Sequence, residues 1–376
     1  MAAPVEKKWE NETNRIVTMG LGKDFGPDND DTDTSVYDNA FIKALDYAGN
    51  NGTIMLTPGV YRPTGTLKMR RGVSLVGVGR ASEIVARFAV PDLPVIAMLP
   101  GFKDGKPLQA DGVRLIDFHV RSEPKDDGAV KEMPSHGILM RRHHEFEVRG
   151  VSVAAPSKSY FTGAAFQLEG CYSGALYNCS AMRCRGGLEI DRTPGERDDL
   201  GKVHPGGAVG SNNITVTAFM SSGLSLFGGR IRGSHSIQLI GCELSTAEFN
   251  DETGVGDFGS GPYGLIIDKS VEGKPARSQA ISIVGGLYAA TTCPILVGDD
   301  PTYPVNGFSM TGAVATGLES QKPSEKPAYC VRLVHVNGAI IQGNVLQHYK
   351  NGPVQTGGAC ANVLVDHNFA IAKPPD

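Results

Sequence analysis

No apolar run in this chain approaches the ~18 residues needed to cross a bilayer as a helix, so no membrane partner is expected. The opening stretch MAAPVEKKWENETN has no apolar h-region, and a secretory signal is not read from it. HExxH, GxSxG and GxxxxGK[ST] are all missing, which removes metalloprotease, α/β-hydrolase and P-loop readings. Neither sign of charge dominates: 36 basic against 40 acidic residues leave a net charge of −4, against a general nucleic-acid binder. The seven cysteines form no CxxC and no paired Cys/His zinc spacing, and an odd number leaves at least one unpaired, so buried free thiols are expected. What the chain does have is turn residues, 48 Gly and 23 Pro.

Those turn residues punctuate very short strands. From Gly52 to Ile84, the runs Thr53–Leu56, Thr66–Met69 and Val73–Val76 are β-branched or apolar and are separated by Pro58-Gly59, Pro63, Gly65 and Gly72. Strands this short cannot bury a face alone and must stack on further coils, the logic of a solenoid. Further on, strand openings recur at Gly137, Gly163, Gly186, Gly223, Gly264, Pro294, Val331 and Asn362. The shortest interval, Gly163 to Gly186, sets the minimal coil, and the excess elsewhere is loop. Cys179 in LYNCSAM and Cys242 in LIGCELS fall at equivalent points of two coils, where a small side chain can stack in the core. Before the coils, Val36, Ala40, Ala44 and Tyr37, Phe41, Leu45 have helical spacing across Thr34–Tyr47. Such a helix is expected to plug the open end of the solenoid.

Residues 33–80, with Asp30-Asp31-Thr32 before them, resemble the start of the pectate-lyase-like right-handed parallel β-helix proteins. The features that carry this are the helix opened by the acidic segment, Gly52-Thr53, Pro58-Gly59-Val60-Tyr61 and Leu75-Val76-Gly77-Val78-Gly79-Arg80. The resemblance implies an all-β fold, a single-stranded right-handed parallel β-helix over residues 51–376 behind an N-terminal segment and capping helix in residues 1–50. That superfamily holds pectate lyases, polygalacturonase-type glycosidases, epimerases and phage tailspikes, so the motifs specify fold and not reaction. A polysaccharide or oligosaccharide partner is implied, with a homo-oligomer, a trimer in tailspike-like members, as a further expectation.

Side-chain alternation sends successive residues of a strand to opposite faces. In Phe166-Gln167-Leu168-Glu169 and Leu188-Glu189-Ile190-Asp191 the apolar residues therefore point in, and Gln167, Glu169, Glu189 and Asp191 point out together. Following that column through the coils gives Arg141, Glu169, Asp191, Phe227, Asp268, Gly298, His335 and Asp366. With coils ~4.8 Å apart, Glu169 and Asp191 become direct neighbours and Asp268 lies ~10 Å beyond Asp191. Glycosidic cleavage commonly uses two carboxyl groups, ~5 Å apart for a covalent intermediate and ~6.5–9.5 Å apart for an attacking water. Glu189 or Glu169 as acid with Asp191 as base or nucleophile fits this chemistry, and Asp191 with Asp268 is the wider pair. Arg141, Gln167, Arg192, Phe227 and Lys269 are the accompanying substrate-binding candidates, with His204 reaching over from the long loop after Asp191.

Other readings compete for the same residues. Outward positions of a solenoid must be polar, so Arg141, Arg142, Arg192 and Lys269 could merely neutralise the acids as ion pairs. In polysaccharide lyases of the resembled superfamily a basic residue removes the proton beside a uronate carboxyl and acidic residues often hold calcium; Glu169, Glu189 and Asp191 are the hard oxygen ligands for that case. No cofactor is required by the hydrolase reading. A non-catalytic adhesin or spike subunit is the third alternative. Asp28-Asn-Asp-Asp-Thr-Asp33 lacks the Gly and Glu of an EF-hand loop and reads as a helix cap, and His143-His144 reads as a surface or stacked pair at a coil corner rather than a metal site. The loops over 192–209 and 246–262 mark the busy side of the molecule.

Overall fold

The structure is a computed structural model and describes residues 15–19, 35–63, 65–86, 93–99, 101–103, 106–108, 110–122, 135–155, 161–193, 209–246, 261–269, 276–318, 321 and 325–371. Short strands follow one another around three parallel sheets, each strand pairing with its equivalent one coil earlier and one coil later. The first sheet has 14 strands, the second 11 and the third 10 among the described residues. A two-stranded antiparallel hairpin, Gly101–Lys103 with Lys106–Leu108, is the exception to the parallel pairing.

The predicted strands Thr53–Leu56, Leu67–Met69 and Ser74–Val76 are present within a residue of their expected starts. Gly59–Tyr61, read from sequence as turn, is itself a strand and pairs with Ser82–Ala86 to begin the second sheet. Inside, equivalent residues stack: Ile96, Ile138, Phe166 and Leu188 form one continuous buried file across four rungs of the third sheet. From Ile116 onward, every turn from the first sheet to the second takes two residues. The first of each pair has a positive φ, near 50° at Asp117, Asn178, Ala218 and His367 and up to 66° where it is glycine. This left-handed residue reverses the chain sharply and turns the next one inward, so Phe118, Cys179, Phe219 and Cys242 stack in the core as expected for the two cysteines. At the later coils Asn344 takes this place and donates from Nδ2 to the Met310 carbonyl, while its backbone amide donates to Asn368 Oδ1.

The longest connections lie elsewhere, on the two borders of the third sheet, among them that between Ser245 and Tyr263 on its entry side and that between Asp191 and Asn212 on its exit side. The helix Ser35–Ala48 packs against Ile16–Met19, Thr53–Leu56 and Leu67–Met69. It buries Phe41, Ala44, Leu45 and Ala48 in the same core, with the Phe41 ring edge-on to Tyr61 at 5.9 Å. At the opposite end the strand Ala361–Asp366 has no successor among the described residues, and its Leu364 and Val365 are 50% and 43% exposed.

Candidate functional site

Three strands of the third sheet, Phe161–Glu169, Cys184–Asp191 and Tyr263–Asp268, carry the candidate acids, and Phe227–Arg232 lies between the last two. Gln167 pairs with Glu189 and Glu169 with Asp191, as the alternation predicted. Arg141 is level with Glu169, and Asp268 with Arg232. The column therefore runs Arg141, Glu169, Asp191, Arg232, Asp268, and the second outward column runs Gln167, Glu189, Arg230.

Phe227 does not stand in this column. It pairs with Gly186 and Tyr263, is 3% exposed, and lays its ring over Gly186, where an added Cβ would lie 2.3 Å from the ring. The sequence pattern marks Gly223-Leu-Ser-Leu as the strand opening, whereas the strand is Phe227–Arg232 and the register differs accordingly. The triplet Arg230-Ile231-Arg232 repeats the pattern of Glu189-Ile190-Asp191 and was the available signal. Two further positions also differ. Val297 pairs with Leu333, leaving His335 one residue past the level of Gly298, and Asp366 belongs to the first sheet, opposite Gln342.

Arg232 organises the acids. Its Nη2 lies 2.7 Å from Glu189 Oε1 and 2.5 Å from Asp191 Oδ2. The Glu189 contact is an ion pair by distance without hydrogen-bond alignment, and Glu189 Oε1 has no hydrogen-bond partner among the described residues. A shared nitrogen holds the two carboxylate oxygens within about 5 Å of each other, the separation associated with a covalent glycosyl intermediate. Arg141 Nε takes Glu169 Oε2 at 2.6 Å, and Gln167 Nε2 reaches Glu169 Oε1 at 3.5 Å. The Arg192 amide donates to Asp191 Oδ1 at 2.7 Å, and the Lys269 amide does the same for Asp268. The Lys269 ammonium turns to the next coil, 2.5 Å from Asp300 Oδ2 and 5.4 Å from the centre of the Tyr303 ring. His204 and most of the loops over 192–209 and 246–262 lie outside the described residues, as does Asp28–Asp33.

Burial shapes the electrostatics. Glu189 and Asp191 are only 8% and 2% exposed. Desolvation pushes the Glu189 carboxyl above the ordinary range, helped by the charge of Asp191 and opposed by Arg232 and Arg230. Asp268 is raised mainly by desolvation as well. Desolvation also lowers Arg230, with Arg232 beside it acting in the same direction. Gln167 Oε1 and the Nε atoms of Arg230 and Arg232 are buried without a hydrogen-bond partner among the described residues, so polar capacity remains unused around the acids. Four of the cysteines are disfavoured as nucleophiles: Cys171, Cys179, Cys293 and Cys330 are pushed up to about 12 by burial. His143 faces inward rather than to the surface, 1% exposed with Nε2 3.2 Å from the Met98 carbonyl, while His144 meets Asp111 at 3.5 Å.

Solved structures share this architecture. A mannuronan C-5 epimerase A-module from Azotobacter vinelandii superposes with a TM-score of 0.62 at 15% identity, over 89% of this chain and 83% of that one. The chain has the right-handed parallel β-helix fold. Two further β-helices match with TM-scores of 0.57. The surface adhesin PfbA of Streptococcus pneumoniae is 14% identical over 96% of this chain and all of its own, and a DFA-IIIase from Arthrobacter chlorophenolicus A6 is 11% identical over 97% and 100%. No protein-family model matches the sequence, and no curated protein matches it. At these identities the β-helix likeness concerns fold, and the chemistry has to be argued from the third sheet itself.

Among the described residues, no group of three or more His, Cys, Asp or Glu is disposed to hold a metal ion. Glu169, Glu189 and Asp191, the hard ligands considered for calcium, are each engaged by a guanidinium.

Proposed function

We propose that this protein acts on a polysaccharide or oligosaccharide laid across the third sheet, cleaving a glycosidic bond with Glu189 as acid and Asp191 as nucleophile. The observation that carries this is the pair of carboxyls two residues apart on one strand, held together by Arg232, with Glu189 raised by desolvation. A raised Glu189 retains the proton that must pass to the departing glycosidic oxygen. Asp191, beside the Arg232 cation and accepting the Arg192 amide, keeps the charge needed to attack the anomeric carbon. Glu189, having lost its proton, then takes one from the water that releases the sugar. The named activities of the epimerase and the DFA-IIIase support a glycan as the substrate class. The longest connections in the sequence join strands at the borders of the third sheet, where binding loops are commonly carried.

One observation favours a second reading, elimination on a uronate-containing glycan. Arg230 is depressed by burial and by Arg232, the direction that favours the neutral guanidine, the form able to take up a proton. Calcium in such a lyase would have to compete with Arg232 for Glu189 and Asp191.

Incubation with neutral and acidic glycans separates the cases. A hydrolase releases reducing ends alone, a lyase adds ultraviolet absorbance, and a pure binder, as the adhesin neighbour suggests, gives neither while retaining affinity. Glu189→Gln and Asp191→Asn are each expected to lower kcat about 100-fold or more. Wild-type rates in Asp191→Asn overturn the acid-pair reading.

A further inference from the structure

In the second outward column of the third sheet, Gln167 stands one rung before Glu189 and level with it, with Leu139 on its other side and Arg230 beyond Glu189. Gln167 and Glu189 are only 4% and 8% exposed, and Gln167 Oε1 and Glu189 Oε1 are both buried without a hydrogen-bond partner among the described residues. We propose that Gln167 is a positioning residue for Glu189, its Oε1 accepting a hydrogen bond from the Glu189 carboxyl and so holding that acid in its protonated form. The assignment deepens the acid-pair reading above and rests on it.

The Gln167 amide is oriented by its nitrogen end. Arg141 Nε holds Glu169 at Oε2, and the other Glu169 oxygen takes Gln167 Nε2 at 3.5 Å. An ionised carboxylate only accepts, so the amide turns its nitrogen toward Glu169 and its oxygen away. Of the residues flanking Gln167 in the column, the Leu139 side chain has no donor, and Glu189 has one only while it carries its proton. Arg232 Nη2 lies 2.7 Å from Glu189 Oε1 but out of line for a hydrogen bond, so it supplies charge there and no bridging hydrogen. Two buried acceptors on neighbouring rungs with no aligned donor leave both desolvation costs standing, and one shared hydrogen removes them. The reach fits: coils repeat at ~4.8 Å, the two side chains have the same length, and their broad terminal torsions let the heads tilt to hydrogen-bond distance. The charges around Glu189 are those of Arg232, Arg230 and Arg185, which favour its ionised form, and of Asp191, which acts with burial toward the neutral form. A hydrogen bond donated by the neutral carboxyl adds to burial. Once ionised, Glu189 would confront a second acceptor, which favours its recovery of a proton from the water of the release step.

The test is a carbon-13 NMR pH titration of the full chain labelled at Cδ of glutamate and glutamine. Glu189→Gln assigns the one resonance, and Gln167→Met or Gln167→Asn the other. In the wild type the Gln167 carbon is expected to shift with the same midpoint as the Glu189 carbon, above the ordinary glutamate range. Gln167→Met keeps the length of the side chain and removes the acceptor. It is expected to lower the Glu189 midpoint by about one pH unit, the shift that one hydrogen bond of ordinary strength produces. A packing role alone predicts the opposite sign, because an apolar neighbour deepens desolvation and raises a carboxyl. A Gln167 carbon that does not follow Glu189 in the wild type overturns the proposal even where Gln167→Met fails to fold, and so does an unchanged or raised midpoint in that variant. Either result, with the Glu189 midpoint still raised, defeats this assignment alone and leaves the acid pair standing. Wild-type cleavage rates in Asp191→Asn defeat the acid pair instead, a result on which the titration, run without glycan, does not depend.

Discussion

Single side chains in this molecule are governed by desolvation more than by exposure to partners. His143 shows the effect outside the acid cluster. Burial holds its imidazole down to about 4, against an ordinary value of 6.5, although the Met98 carbonyl contact and Asp111 act the other way. Because the folded state resists protonation that the unfolded chain accepts, stability is complete above about pH 6.5 and is lost as the pH falls toward 4. Between pH 7 and pH 5 this one group is expected to remove roughly 2 kcal/mol, and His136, lowered in the same way, adds to it. Urea denaturation at the two pH values checks this, and His143→Gln should flatten the difference. Glu189 has the opposite sign: its raised carboxyl favours the fold at low pH, and that contribution fades as pH rises through its folded value. Period-two alternation was enough to predict that Glu169, Glu189 and Asp191 share a face. It missed Arg232 because Gly223-Leu-Ser-Leu reads as the coil opening, which puts Phe227 and not Arg232 at the level of Asp191.

At the scale of the strand, the slipped register has a physical lesson. Gly223-Leu-Ser-Leu has the same apolar look as a coil opening, and pattern alone cannot choose between it and Phe227–Arg232. The structure decides by fit: Gly186 leaves the space that the Phe227 ring fills one rung away, a complementarity between residues 41 positions apart that no local window contains. Gly186→Val is therefore expected to destabilise the protein by about 1–3 kcal/mol through overpacking. Co-substitution with Phe227→Leu should recover part of that loss. Additive thermal shifts in the double variant would disconnect the two positions. The strands of the first coils were easier to read than later ones because their turns are short and carry Pro and Gly, whereas the later third-sheet strands are preceded by insertions that obscure the period.

For the molecule as a whole, stacking makes stability a matter of neighbours. Central rungs have a partner on both sides, whereas the coil containing Ala361–Asp366 and Phe369–Ile371 has one. Its Leu364, Val365 and Phe369 are 50%, 43% and 65% exposed. Hydrogen exchange is expected to be fastest there and slowest in Phe161–Glu169 and Cys184–Asp191, with the central rungs protected to the limit of global unfolding. Equal protection from end to end would mean that the coils open as one unit or that the terminal coil is covered in solution. The helix Ser35–Ala48 places Phe41 and Leu45 against the first strands, and we propose that it closes that end of the stack as its amphipathic spacing predicted.

Regular rungs also confer a property of length. The ten strands of the third sheet, repeating every ~4.8 Å, form a track of roughly 45 Å. The acids occupy only its middle, so a linear ligand must extend to either side to engage the whole surface. For the glycan proposed above, such a surface would act as a ruler, separating a fragment from a polymer by how many divisions each covers.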